Sequence, residues 1–340
     1  MRILVVRRDN IGDLVCTTPL FTALRQRYPQ AWLGALVNSY NAPVLERNPH
    51  LDQVIAYTKL KHLDPGQSRF GALAHRVGSL WGLRRMRLDY IVLATSDFVP
   101  RMLRLARWLA PRKVAGFSDG SAQARTLDLS VSIENLQGMH EVERVFALAP
   151  LFDIAGDIPA PTVVPDKAEI EKAAAAFASP LPGPKIAVHI SARRPAQRWP
   201  AARFADLIAR LHESHGAQFM LLWSPGASDH PQHPGDDDKA KEISQQLSGK
   251  VPLSAYRTAK LQELIGALAA CDLLICSDGG AMHLAAALGK PIVALFGDSP
   301  LERWRPWGSR HVIVRTASRK VDDIGAEELM EATSALLGAR

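Results

Sequence analysis

The 340-residue sequence predicts an α/β protein made of two doubly wound parallel-sheet halves. Three observations lead there. Short apolar, β-branched runs alternate with segments of helical period along the chain. Those runs are almost continuously apolar, as strands covered on both faces must be. A proline-rich stretch at 148–165 separates one such series from a second, and the chain is too long for one ordinary core.

The first series opens with "RILVV", a helix near 19–28, the strand "AWLGALV" at 31–37 and a helix near 39–47. Strands follow at "QVIAY" (53–57), "DYIVLAT" (89–95) and "RKVAGF" (112–117). Pro150, Pro159, Pro161 and Pro165 cannot all sit inside regular elements, so this stretch reads as the interdomain linker. Beyond it come the helix "DKAEIEKAAAAFA", the strand "KIAVHI" (185–190), a helix at 201–213 and the strand "QFMLLW" (218–223). Helices at 237–247 and 259–270, the strand "DLLICS" (272–277), a helix at 281–288, the strand "PIVALF" (291–296) and the amphipathic helix "AEELMEATSALL" complete the series. The expected division is 1–160, 161–320 and a C-terminal helix within 321–340. In such a pair of halves the strand C-termini face a shared cleft, where open α/β sheets bind ligands.

Composition narrows the function classes. Apolar residues make up 47% and charged residues 22%, ordinary proportions for a globular protein. "MRILVV" meets Arg7 and Arg8 at once, so no secretion signal is expected, and no apolar run is long enough to span a bilayer. Cys16, Cys271 and Cys276 lack zinc-type spacing and read as buried thiols. The net charge of +7 lies mostly in residues 1–165, which hold 20 Lys+Arg against 14 Asp+Glu, while 166–340 hold 21 against 20. That bias favours anionic partners.

The loops carry the chemistry. "RRDNIGDLVCTTP", Arg7 to Pro19, puts Arg7, Arg8, Gly12 and Asp13 at the end of the first strand, with Thr18 and Pro19 opening the next helix. "CSDGGAMHL", from Cys276, reads as strand end, Gly-Gly turn and helix start. There Gly279, Gly280 and Ala281 would offer free N–H groups to a phosphate or pyrophosphate. Asp278 either caps that helix or bonds a sugar hydroxyl, and His283 is either a site residue or a packed histidine.

After "KIAVHI", Ser191 precedes Arg193, Arg194 and Arg198, whose guanidinium forks suit phosphate. Trp199-Pro200 reads as packing and helix start. In "SPGASDHPQHPGDDD" (224–238) the Pro and Gly content argues for a mobile loop and against a metal site at His230 and His233. Asp229 is its best candidate for a ribose or nucleoside contact. "HRVGSLWGLRRMRLDY" interleaves Trp81 with Arg76, Arg84, Arg85 and Arg87, and "PRMLRLARWLAPRK" places Arg101, Arg104 and Arg107 beside Trp108. Either an anionic membrane surface or a phosphorylated acceptor suits such stretches, as does a plain charged outer face. The dinucleotide fingerprint, the P-loop and the Gly-x-Ser-x-Gly elbow are all absent.

"ILVVRRDNIGDLVCTTPLFTALRQRYP", "RWP" (198–200) and "SDGGAMHLAAALGKPIVALFGDSPLERWRPWG" together resemble the lipopolysaccharide heptosyltransferases, glycosyltransferase family nine, over nearly the whole chain. The resemblance implies GT-B architecture: two Rossmann-like domains facing a central cleft, the first for the acceptor and the second for the nucleotide-sugar donor. It also implies inverting transfer from an ADP-heptose-like donor to the lipid A-linked lipopolysaccharide core, without metal or cofactor. Asp13 matches the family's general base. Ser191, Arg194, Arg198, Asp229, Asp278, Gly279, Gly280, Ala281 and His283 fall to the donor, and Arg7, Arg8 and Gly12 to the acceptor.

Two departures stand out: Gln197 occupies the place of a lysine found in several members, and Asp229 is the nearest match to a common glutamate. Arg7 and Arg8 either meet acceptor phosphates or keep Asp13 ionised. The expected location is cytoplasmic and peripheral, at the inner face of the inner membrane, with no nucleic-acid partner. The alternatives are a related transferase with another nucleotide sugar and glycan, a sugar-nucleotide epimerase, or a non-catalytic nucleotide-binding protein.

Overall fold

The computed structural model describes residues 1–57, 69–177, 182–229 and 235–338. It forms two compact units, Met1–Val164 and Pro165–Arg340. The boundary falls inside the proline-rich stretch.

In the first unit the chain runs β1 (Arg2–Arg7), α1 (Ile11–Val15), α2 (Thr18–Arg27), β2 (Trp32–Asn38), β3 (Gln53–Tyr57) and α3 (Arg69–Arg85). It continues through β4 (Tyr90–Leu93), α4 (Pro100–Trp108), β5 (Lys113–Ser118), β6 (Leu129–Ser132) and α5 (Glu141–Phe146). All six strands are parallel, in the order β3-β2-β1-β4-β5-β6. Leu4, Val6, Leu36, Ile91 and Val114 of the sheet pack with Leu80 and Leu83 of α3 and Met102, Leu103 and Ala106 of α4. Val77, Trp81 and Arg85 of α3 and Arg101, Arg104 and Trp108 of α4 are left to solvent.

The second unit runs α6 (Lys167–Ala175), β7 (Lys185–His189), α7 (Ala201–His215), β8 (Gln218–Trp223), α8 (Asp237–Leu247), β9 (Leu253–Arg257) and α9 (Leu261–Ala270). Then follow β10 (Leu273–Ser277), α10 (Gly280–Ala287), β11 (Ile292–Leu295), α11 (Leu301–Trp304), β12 (His311–Val314) and α12 (Ala326–Gly338). Its parallel order is β12-β11-β10-β7-β8-β9. Phe204, Leu207, Ile208 and Leu211 of α7 join Leu329, Ala332 and Leu336 of α12 in one core with Ile186, Val188, Ile275 and Val293. A fully buried Leu contributes roughly 1.5–3 kcal/mol, so α12 is an integral part of this unit.

Both sheets start from a central strand, build outward to one side and then return to the other. The reversal falls between β1 and β4 in the first unit and between β7 and β10 in the second. Loops leaving the strand C-termini at such a point diverge, which opens the crevice that ligands use.

Three details differ from expectation. The helix expected near 39–47 is a single 3-10 turn, Ala42–Val44. Tyr40 and Asn41 instead donate side-chain hydrogen bonds to the Asp9 carbonyl, and Pro43 withholds a helical donor. The helix expected from Thr18 has Thr17 as its N-cap, and the extra turn α1 precedes it. Strands β6, β9 and β12 are edge strands, only partly buried: β6 (LSVS) and β9 (LSAYR) alternate with polar residues and lack the continuous apolar signature of the others, while β12 (HVIV) is apolar but only four residues long.

Candidate active site

In the first unit the site grows from the end of β1. Arg7 is 1% exposed, at the switch point, and its guanidinium is surrounded by acceptors. Nη2 lies 2.8 Å from Asp13 Oδ1 and 2.8 Å from Glu141 Oε1. Nε lies 2.9 Å from Asp9 Oδ2, and Nη1 donates to the Ala94 carbonyl. Glu141, fully buried on α5, also accepts from the Ser96 hydroxyl at 2.9 Å. Burial disfavours the Arg7 charge, but three carboxylates outweigh it and push its pKa up.

Local structure fixes Asp13. It is the third residue of α1, and its Oδ2 reaches back to accept from the Asn10 backbone N–H at 3.1 Å and from Asn10 Nδ2 at 3.0 Å. Burial alone would raise its carboxyl pKa. The Arg7 charge and the Asn10 and Arg7 hydrogen bonds overcome that and hold it below its ordinary value. Asp9 differs: burial prevails over the Arg7 charge, the neighbouring carboxylates add to it, and its pKa is raised. Its Oδ2 accepts from the Thr95 hydroxyl at 3.1 Å. Gly12 is buried within α1. Arg8 stacks on the Tyr57 ring, 3.5 Å from its centroid, and reaches Met102 Sδ at 3.7 Å.

In the second unit three loops at the switch point meet. Gln197 is buried, and its Nε2 donates to Asp278 Oδ2 at 3.1 Å and to Ser299 Oγ at 2.8 Å. Asp278 precedes α10, whose N-cap is Gly279 without any side-chain cap bond. Asp278 is therefore not that helix's cap. Burial raises its pKa, partly opposed by Ser299, Arg194 and Gln197. Gly280 and Ala281 form the first turn of α10, where backbone N–H groups have no intrahelical acceptor. At Gly279 an added Cβ would meet nothing nearer than the Ser277 carbonyl at 4.0 Å, so no protein atom requires glycine there. His283 is buried, edge-on to Trp304 with ring centroids 6.0 Å apart.

The arginines after β7 divide. Arg193 and Arg194 are exposed, Arg194 lying 3.6 Å from Asp298. Arg198 is held, with Nε on the Ala192 carbonyl at 3.0 Å and Nη1 at 3.5 Å from the buried Asp236. Ser191 Oγ accepts from the Ser224 N–H at 2.8 Å and donates to Asp236. Lys239 Nζ donates to the Ile190 carbonyl at 3.1 Å, and burial brings its pKa down to about 8. Trp199 is core, as its position before α7 suggested: its Nε1 donates to the Ile324 carbonyl at 2.9 Å. Asp229 is exposed, and His230 and His233 lie outside the described residues. The three cysteines are free and buried.

Together the arrangement offers an ionised carboxylate held on a buried guanidinium in one unit, and in the other a helix N-terminus beside an acid and the exposed Arg194. A model of glycosyltransferase family 9 (heptosyltransferase) matches residues 83–333. The chain belongs to glycosyltransferase family 9. It is similar to lipopolysaccharide heptosyltransferase 2 of Escherichia coli, 28% identical over 362 residues that cover 99% of each chain. Lipopolysaccharide heptosyltransferase 3 of the same species is 24% identical, covering 96% of this chain and 95% of that one. Among solved structures, the family 9 glycosyl transferase from Veillonella parvula superposes with a TM-score of 0.82 at 19% identity, over 100% of this chain and 97% of that one. The E. coli ADP-heptose lipopolysaccharide heptosyltransferase II gives 0.78 at 23% identity, over 99% and 98%. The fold is thus the two-domain GT-B fold, and the protein is a family 9 glycosyltransferase.

Sequence reasoning singled out Asp13, Arg7, Asp278 and Arg194 but missed what holds them. Asp9 lies in the same loop and is one of three carboxylates on Arg7, a role that no local pattern signals. Glu141 is 134 residues from Arg7 and no local motif links them. Ser299 and Gln197 reach Asp278 from two other loops. Asp236 and Lys239 belong to an acidic run that reads as an ordinary helix start.

Proposed function

We propose that this family 9 glycosyltransferase transfers a heptose, with inversion, from an ADP-heptose-like donor to the lipid A-linked inner core of lipopolysaccharide. The observation that carries the reading is Asp13, ionised on Arg7 at the end of β1 within a family 9 chain. The acceptor hydroxyl oxygen attacks the anomeric carbon, the new glycosidic bond forms, the bond from that carbon to the diphosphate oxygen breaks, and the hydroxyl proton passes to Asp13. The departing diphosphate needs charge stabilisation more than a proton. Backbone N–H groups at Gly280 and Ala281, with Arg194, supply it.

Asp278 bonds a donor hydroxyl, while Ser191 and Arg198 shape the same loops. Arg7 serves Asp13 and not the acceptor, because three carboxylates already occupy it; Arg8 supports the loop by stacking on Tyr57. The acceptor carries a lipid, so the enzyme works peripherally at the cytoplasmic face of an anionic membrane. Among the described residues no helix is long and apolar enough to cross one.

The test is radiolabelled ADP-heptose with core-truncated lipopolysaccharide. Asp13→Asn should lose transfer while keeping donor affinity. Full transfer by that variant, or transfer only from a different nucleotide sugar, would overturn the assignment.

A further inference from the structure

The two arginine-tryptophan stretches, far apart in sequence, meet on one surface of the first unit. Trp81 of α3 and Trp108 of α4 lie with ring centroids 6.2 Å apart, and they are 46% and 43% exposed. The arginines interleave across the helices: Arg84 of α3 lies over the Trp108 ring at 5.4 Å and Arg85 over Trp81 at 5.6 Å. Val77, 54% exposed, extends the apolar strip one turn further along α3. By helical spacing Val77, Trp81, Arg84 and Arg85 share one stripe of α3, and Arg101, Arg104 and Trp108 one stripe of α4.

Charge is one-sided here. Neither 69–88 nor 98–118 contains an Asp or Glu. Arg107 is tied to Asp128 at 2.9 Å and Arg112 lies 3.4 Å from Asp89. Arg84, Arg85, Arg101 and Arg104 have no carboxylate partner among the described residues. Two half-exposed indoles cost solvation in water, and a soluble phosphate has no use for them. An anionic bilayer uses both features, with headgroups meeting guanidinium groups and indole rings settling at the acyl boundary.

We infer that the paired outer faces of α3 and α4 are the membrane-docking surface, and that their partner is an anionic phospholipid bilayer. The inference rests on the reading of a membrane-borne acceptor, but its test uses neither donor nor acceptor, so the two can fail separately.

The full-length protein is sedimented with vesicles of phosphatidylcholine alone and of phosphatidylcholine doped with phosphatidylglycerol. Binding to the doped vesicles only, weakening as salt rises, is expected. Each arginine near an anionic surface is worth about fivefold in partitioning, so Arg84→Ser with Arg85→Ser should weaken binding at least about tenfold. Trp81→Ser with Trp108→Ser should do so without abolishing its salt dependence.

Circular dichroism melts establish that the variants fold. Transfer to a delipidated core acceptor should be unchanged in both. Absent or salt-insensitive binding by the wild type, equal binding to neutral vesicles, or undiminished binding by both folded variants would overturn the proposal. So would displacement by soluble glycerophosphoglycerol as effective as by vesicles, which would show a headgroup pocket instead of a surface.

Discussion

Arg7 Nη2 sits 2.8 Å from Asp13 Oδ1 and, on its other side, 2.8 Å from Glu141 Oε1, so one buried nitrogen joins the first loop of the chain to a helix 134 residues away. Removing that cation strands three carboxylates. Arg7→Met should destabilise the first unit by about 3–5 kcal/mol, the usual cost of breaking a buried charge pair. Chemical denaturation followed by circular dichroism measures it.

The sign of the pH dependence follows from the depressed Asp13 pKa. A carboxyl whose pKa is lower folded than unfolded stabilises the fold above the unfolded value, about 3.9 for aspartate, and loses that contribution as pH falls through the folded value. The Tm advantage of wild type over Asp13→Asn should therefore hold at neutral pH and shrink below about pH 4. In transfer assays the acid limb due to Asp13 should lie below the ordinary carboxylate range. In Arg7→Met, if it folds, that limb should move up in pH.

The division of labour between loops predicts opposite kinetic signatures. Asp13→Asn should lower kcat by roughly 10²–10⁴-fold with the donor KM little changed, the usual contribution of a general base. Asp278→Asn should raise the donor KM instead. Equal loss of donor affinity in both variants would contradict the assignment.

Gln197 gives a fourth prediction. Its amide aims Asp278 and Ser299 without adding charge. Gln197→Glu would place a second carboxylate against Asp278 and should weaken donor binding more than Gln197→Ala does. Isothermal titration with ADP alone and with the full donor separates an effect on the nucleotide from one on the sugar.

The loop between β8 and α8 closes on two glycines. A Cβ on Gly235 would lie 2.1 Å from the Gly226 carbonyl oxygen, too close to exist without backbone movement. Gly235→Ala should cost about 1–3 kcal/mol, read as a lowered Tm.

Much of this was legible from sequence because buried parallel strands write themselves as unbroken apolar runs and doubly wound chains punctuate each strand with a loop. "RILVV" and "DLLICS" could be placed that way, and with them the loops holding Asp13 and Asp278. Edge strands such as "LSAYR" escaped, since half-exposed backbone tolerates polar residues. The Arg7 cluster escaped for another reason. Glu141 meets Arg7, Thr95 meets Asp9 and Ser96 meets Glu141 only through tertiary folding, and pairwise contacts at such separation leave no periodicity to read. The 39–47 segment misled because Tyr40 and Asn41 spend their side chains on the Asp9 carbonyl, a purely tertiary demand.

Trp199 donates to the Ile324 carbonyl, and Arg203 holds the same carbonyl at 2.8 Å. The segment leading into α12 is thereby the latch on the loop that carries Arg194, Gln197 and Arg198. Shortening the chain before Val321 would strip α12 from the core and unfasten that loop from behind, so under the proposed donor role a lesion more than a hundred residues downstream would register at the bench as a failure to hold the sugar nucleotide.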